Sequence, residues 1–154
     1  KTIKENIAFG INKNNIDDKK VKKFIHLSKL SETLESLPDK ENTRIGERGI
    51  KLSGGQQQRL GIARALYTDP KIIIFDEATN ALDALTENEI LNSLNELGKN
   101  ITILMIAHRL DIIKKFDKII FLNKGKLDGF GSFNELMQNN VNFKNLVEAN
   151  KLNG

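Results

Sequence analysis

The sequence predicts an α/β fold, a partial parallel sheet flanked by helices and preceded by a largely helical stretch. The short, continuously apolar run Ile72–Phe75 reads as a strand covered on both faces, and Ile101–Ala107 reads as a second buried strand. Between them Thr86–Gly98 places Ile90, Leu91, Leu94 and Leu97 at helical spacing. That strand–helix–strand order is the unit of a parallel sheet. Upstream, residues 5–68 follow helical rather than alternating periodicity.

Taken in order, Thr2–Gly10 predicts a short helix with Ile3 and Ile7 on one side. Asp17–Leu30 is amphipathic: Val21, Phe24, Ile25 and Ser28 share a face, the opposite face is lysine-rich, and Asp17 and Asp18 sit in the first turn where acids complement the helix dipole. His26 within it has no acidic or histidine partner at metal-ligand spacing, so it reads as a surface or half-buried helical residue. Glu32–Leu37 predicts a second short helix that stops before Pro38. Asp39–Lys51 is a polar loop containing Gly46 and Gly49. Gly55–Tyr67 predicts a longer helix mixing apolar and basic positions (Leu60, Ala63, Arg64, Leu66), ended by Thr68-Asp69-Pro70. Beyond the second strand, Leu110–Phe116 is a short helix. Lys118–Leu122 and Lys126–Phe130 are strands around Asn123-Lys124-Gly125, a hairpin signal. Ser132 with Glu135 forms a capping box for the next helix, and Asn142–Asn150 is terminal helix.

The chain has 154 residues, which suits one domain with a real core. No apolar run approaches the length of a membrane span, the first residue is Lys1, and no secretory signal is visible. Cysteine is absent, which is compatible with a reducing compartment. The net charge of +4 comes from lysines spread among acids. That pattern fits solvated helices, and nucleic acid is not an expected partner.

The chemistry concentrates between Leu52 and Asp83. Ser53-Gly54-Gly55 opens a helix, whose first N–H groups are unpaired and carry partial positive charge, a natural seat for phosphate. The glycines allow close backbone approach, and the Ser53 hydroxyl either caps the helix or donates to a phosphate oxygen. The strand Ile72–Phe75 ends on two carboxylates, Asp76 and Glu77. They lie at the carboxyl edge of the sheet, where such folds bind ligands. Adjacent carboxylates there suit a magnesium ion and a base that orients or deprotonates water.

In this order and spacing the motifs resemble the nucleotide-binding domain of ATP-binding-cassette (ABC) transporters, and hence a P-loop NTPase-like sheet. LSGGQQQR at Leu52–Arg59 is similar to the family signature, and IIIFDE at Ile72–Glu77 to its Walker B strand. Asn80-Ala81-Leu82-Asp83 resembles the D-loop, with Asn80 where Ser is usual, and Ile106–Arg109 resembles the switch-histidine segment. The resemblance implies ATP and Mg2+ as cofactors. It implies Asp76 as the metal residue, Glu77 as catalytic base and His108 as the contact to the terminal phosphate. Ser53, Gly54, Gly55 and Gln56 would contact ATP bound mainly to an opposite subunit, and Asp83 would couple the two sites. The implied partners are a second nucleotide-binding domain, docked head to tail, and a transmembrane domain on the same full-length chain. The implied place is the cytoplasmic face of a membrane. The segments TIKENIAFG (Thr2–Gly10) and TRIGERG (Thr43–Gly49) resemble the exporter branch, the latter as the loop that touches the transmembrane partner. Residues 5–68 would be the helical subdomain and 69–154 the remaining core.

One element of the family is missing. A P-loop requires G-x-x-x-x-G-K-[ST]. The Gly-Lys pairs here, Gly98-Lys99 and Gly125-Lys126, lack both the preceding Gly and the following Ser or Thr. The expectation is a piece of a larger domain that neither binds ATP tightly nor hydrolyses it alone, with an exposed strand edge and poor solubility. A soluble ABC-type ATPase of DNA repair, chromosome structure or ribosome association, or a docking remnant without hydrolysis, are the alternatives. The transported substrate is not written in these residues.

Overall fold

The computed structural model describes residues 1–47, 49–76, 83–96, 101–107 and 109–152. They form two compact units, Lys1–Met105 and Ile106–Gly154.

The first unit begins with helix α1 (Ile3–Ile7), shorter than the predicted Thr2–Gly10. Thr2 and Glu5 make a capping box at its start. The Glu5 N–H donates to Thr2 Oγ1 at 3.1 Å and the Thr2 N–H to Glu5 Oε2 at 3.0 Å. A 3-10 turn (Lys13–Asn15) leads to α2 (Asp18–Leu27), with Asp17 as its N-cap. The helix was expected to run to Leu30. It ends earlier because Lys29 turns left-handed at φ 56°. The Leu30 N–H then reaches back to Ile25 O and the Lys29 N–H to His26 O, both at 3.0 Å, the paired bonds of a Schellman stop. His26 is exposed, the first of the two placements read from the sequence. Helix α3 (Ser31–Glu35) stops short of the predicted Leu37. After a 3-10 turn (Lys40–Asn42) comes α4 (Gly54–Tyr67), one residue longer at its start than predicted.

Helices α1 and α2 both pack on α4. Ile3, Ile7, Val21, Phe24, Ala63 and Leu66 are each 3% exposed or less, and burying a side chain of the larger kind stabilises by about 1.5–3 kcal/mol. The Tyr67 hydroxyl accepts from the Asp17 N–H at 3.1 Å, and its ring meets Phe24 edge-on at 6.5 Å. The buried polar end of Tyr67 is thereby satisfied while its ring stays in the core.

Strands β1 (Ile72–Asp76) and β2 (Thr102–Ile106) form a small parallel sheet, joined through α5 (Ala84–Glu96). The α5 core positions Ile90, Leu91 and Leu94 are buried as expected. Two expectations need correction. Coverage of β1 on both faces and full burial of β2 are not found: β1 alternates, with Ile73 and Phe75 buried but Ile72 and Ile74 each 64% exposed, and Leu104 of β2 is 44% exposed. Packing in this unit reaches one face of β1 and leaves the other open. The helix expected from Thr86 starts at Ala84, because Asp83 caps it. The predicted stop at Gly98 lies outside the described residues.

The second unit holds α6 (Leu110–Ile113), the antiparallel hairpin β3 (Ile119–Asn123) and β4 (Lys126–Gly131), α7 (Phe133–Asn139) and α8 (Val141–Leu152). Helix α6 ends three residues before the expected Phe116. Lys124 and Gly125 are both left-handed, at φ 49° and 73°, which matches a two-residue turn to the twist of its strands. Ser132 and Glu135 form the expected capping box. The core is Leu136, Phe143 and Val147, with Phe121 and Phe133 edge-on to Phe143 at 5.3 and 5.6 Å.

Candidate functional site

The described candidate residues fall at three element ends of the first unit: the start of α4, the end of β1 and the start of α5. At α4, Leu52 is buried and anchors the turn, while Ser53 and Gly54 are exposed. Ser53 Oγ accepts from the Gln56 N–H at 3.3 Å, and Gln56 Oε1 accepts from the Ser53 N–H at 2.9 Å. The first intrahelical bond runs from the Gln57 N–H to Ser53 O at 2.9 Å. Gln57 Nε2 also holds Leu52 O at 3.0 Å. This capping box satisfies two of the four donors at the helix start. The amides of Gly54 and Gly55 have no partner among the described residues, and the Ser53 hydroxyl keeps its proton for an outside acceptor. Acids are absent from the first turn of α4, so nothing there competes with an anionic ligand. The sequence left open whether Ser53 caps or donates; it caps, and donation stays available.

Asp76 is the last residue of β1, and its side chain is exposed. Its carboxylate has no hydrogen bond or ion pair among the described residues. A free carboxylate at a strand end is a hard oxygen donor, which fits Mg2+ held by one carboxylate together with waters and phosphate oxygens. Among the described residues no group of three or more His, Asp or Glu forms a cage. Glu77, the D-loop residues Asn80, Ala81 and Leu82, and His108 lie outside the described residues.

Asp83 is fully engaged at the start of α5. Oδ1 accepts from the Thr86 N–H at 2.9 Å and Oδ2 from the Thr86 hydroxyl at 2.7 Å. These two bonds, the hydroxyl first, hold its carboxyl below the usual range. The spacing Asp-x-x-Thr could have shown this cap in the sequence, which placed the helix start at Thr86 rather than Ala84.

The two segments singled out as exporter-like are brought together. The Ile3 N–H donates to Thr43 O at 3.1 Å and the Ile45 N–H to Lys1 O at 3.0 Å, with Thr2 and Arg44 in an antiparallel bridge. Ile45 then bridges Ile50 across a tight return, where a Cβ on Gly49 would stand 2.3 Å from Arg44 O. Only glycine fits that approach. Sequence periodicity gave no sign of this pairing, since bridges of one residue leave no alternating pattern.

Residues 1–80 match the family described as ABC transporter. The chain is 45% identical over 136 residues to a multidrug resistance ABC transporter ATP-binding and permease protein of Lactococcus lactis, covering 88% of this chain and 23% of that protein. It is 44% identical over 156 residues to the ATP-dependent permease MDL1 of Candida albicans, covering 98% and 22%. A solved bacterial Atm1-family ABC exporter with ATP bound superimposes with TM-score 0.86 at 36% identity, over 97% of this chain and 26% of that one. The chain therefore spans about a quarter of the length of these relatives.

Proposed function

This chain belongs to the ABC transporter family, and on that premise we propose that it is part of the ATP-binding and ATP-hydrolysing domain of an exporter. The observation that carries the proposal is the start of α4: two glycine amides and a hydroxyl proton with no partner among the described residues, at a positive helix end inside the signature LSGGQ. Such an end binds phosphate.

In this reading Ser53, Gly54 and Gly55 hold the phosphates of ATP seated mainly on a second nucleotide-binding domain, docked head to tail. Gln56 keeps the turn in shape through its bond to the Ser53 N–H. Asp76 would hold Mg2+, which when bound offsets phosphate charge. Glu77 orients and deprotonates the attacking water, and His108 fixes the terminal phosphate. Asp83 sits two residues past Ala81 and, pinned by Thr86, gives the D-loop a rigid exit through which the two sites communicate. ATP in the Atm1-family relative supports the ligand, and the fused ATP-binding and permease relatives support a transmembrane domain on the same full-length chain; in this reading the ATP-binding part works at the cytoplasmic face of a membrane. Among the described residues no helix is long and apolar enough to cross a membrane.

Gly54→Asp tests the reading. An acid in the first turn favours the helix, so α4 stays folded, yet it repels an anion from its end. ATP turnover by the native-length protein should fall on the order of 10²-fold, while the thermal midpoint holds. Unchanged turnover would remove the signature end from the mechanism.

A further inference from the structure

Helix α1 has five residues, too few to persist without help at both ends. Its start is held by the Thr2–Glu5 capping box. Its end is held from α4: Arg64 Nε donates to Asn6 O at 2.8 Å and Nη2 to Asn6 Oδ1 at 3.1 Å. A guanidinium there satisfies an orphan carbonyl and complements the negative helix end. The same guanidinium stands 5.5 Å from the ring centre of Phe9, with the Lys1 ammonium 4.6 Å from that centre. Phe9 is 59% exposed, so the two cations rather than the core fix its position.

The clamp continues into the loop. Asn6 Nδ2 donates to Thr2 O at 2.8 Å, which orients the Asn6 amide toward Arg64 on one side and Thr2 on the other. Lys1, Thr2 and Ile3 carry the bonds to Thr43, Arg44 and Ile45. From Ile50 the chain passes directly to Leu52 and Ser53. The loop before the signature is therefore held twice: by the chain itself at Ser53, and through α1 by Arg64, roughly 15 Å further along α4 at 1.5 Å per residue.

We propose that Arg64 is a positioning residue that sets where Thr43, Arg44 and Ile45 stand relative to the start of α4. Its consequence for turnover rests on the reading of that start as a phosphate site. Arg64 acts through α1: it fixes α1, and α1 fixes the loop.

The test uses the native-length protein with Arg64→Ala, Arg64→Lys, Asn6→Ala and the Arg64→Ala/Asn6→Ala double variant. Amide exchange at Ile3 and Ile45 should accelerate at least about 10-fold in Arg64→Ala, with protection inside α4 unchanged. The kcat for ATP should fall at least about 5-fold with KM within about 2-fold. Arg64→Lys, which keeps the charge but not the fork, should recover part of the loss. Asn6→Ala should match Arg64→Ala, and the double variant should be no worse than either, as expected of one shared interaction. Unchanged exchange at Ile3 and Ile45 overturns the proposal, as does a general loss of α4 protection with KM and kcat falling together. Absence of ATP turnover in the wild-type protein would overturn the reading of α4 instead, and the exchange data would then decide the role of Arg64 alone.

Discussion

Asp83 and Glu135 act as helix caps, and their titration follows from that. Glu135 accepts from the Ser132 N–H at 2.6 Å and from Lys118 Nζ at 3.2 Å. The Ser132 bonds, backbone first, and then Lys118 lower its carboxyl from 4.5 to about 2. A carboxyl depressed in the folded state contributes stability above its unfolded value, and that contribution fades as pH falls toward the folded one. The stability difference between wild type and Glu135→Gln should therefore be full at neutral pH and shrink between pH 4.5 and about 2. Urea midpoints across that range check it; a difference that stays constant to the acid end would contradict it. Asp83 follows the same sign from its Thr86 bonds. The capping box at Ser132 was legible in the sequence as Ser-x-x-Glu, whereas Thr2–Glu5, written in the same pattern, went unread because no long apolar run follows it.

Elements were legible where one period dominates and blurred where a single backbone angle decides. The apolar stripe of α2 was plain, but its end depended on Lys29 entering the left-handed region, which a lysine does not announce. The same applies to the β3–β4 turn, where Lys124 occupies the first left-handed position at φ 49°. Asn adopts that angle more readily than Lys and pairs with a following Gly in such turns. Lys124→Asn should raise stability by about 0.5 kcal/mol, read as a higher urea midpoint. A lower midpoint would show that the turn is not governed by this angle. Strand burial misled the reading most: an uninterrupted Ile72-Ile73-Ile74-Phe75 run suggested two covered faces, and the structure covers one.

For the molecule as a whole, motif order and spacing carried more than composition did. LSGGQ before an apolar strand ending in Asp76-Glu77 pointed to phosphate chemistry, and the family match over residues 1–80 takes in those residues. What the sequence did not reveal is the side-chain path from Arg64 through Asn6 toward Thr43, Arg44 and Ile45, because it joins residues 58 positions apart and has no periodic trace. The large apolar residues exposed on the sheets, Ile72 and Ile74 in the first unit and Ile120, Leu122, Leu127 and Phe130 in the second, agree with a chain that spans about a quarter of its relatives. Glu77 carries the central claim that this chain contributes to splitting ATP. The most direct measurement is steady-state ATP hydrolysis by the native-length protein and its Glu77→Gln variant, with ATP binding followed in parallel. The expected result is a loss of turnover on the order of 10²–10⁴-fold with binding retained; equal turnover in the two proteins would contradict the account.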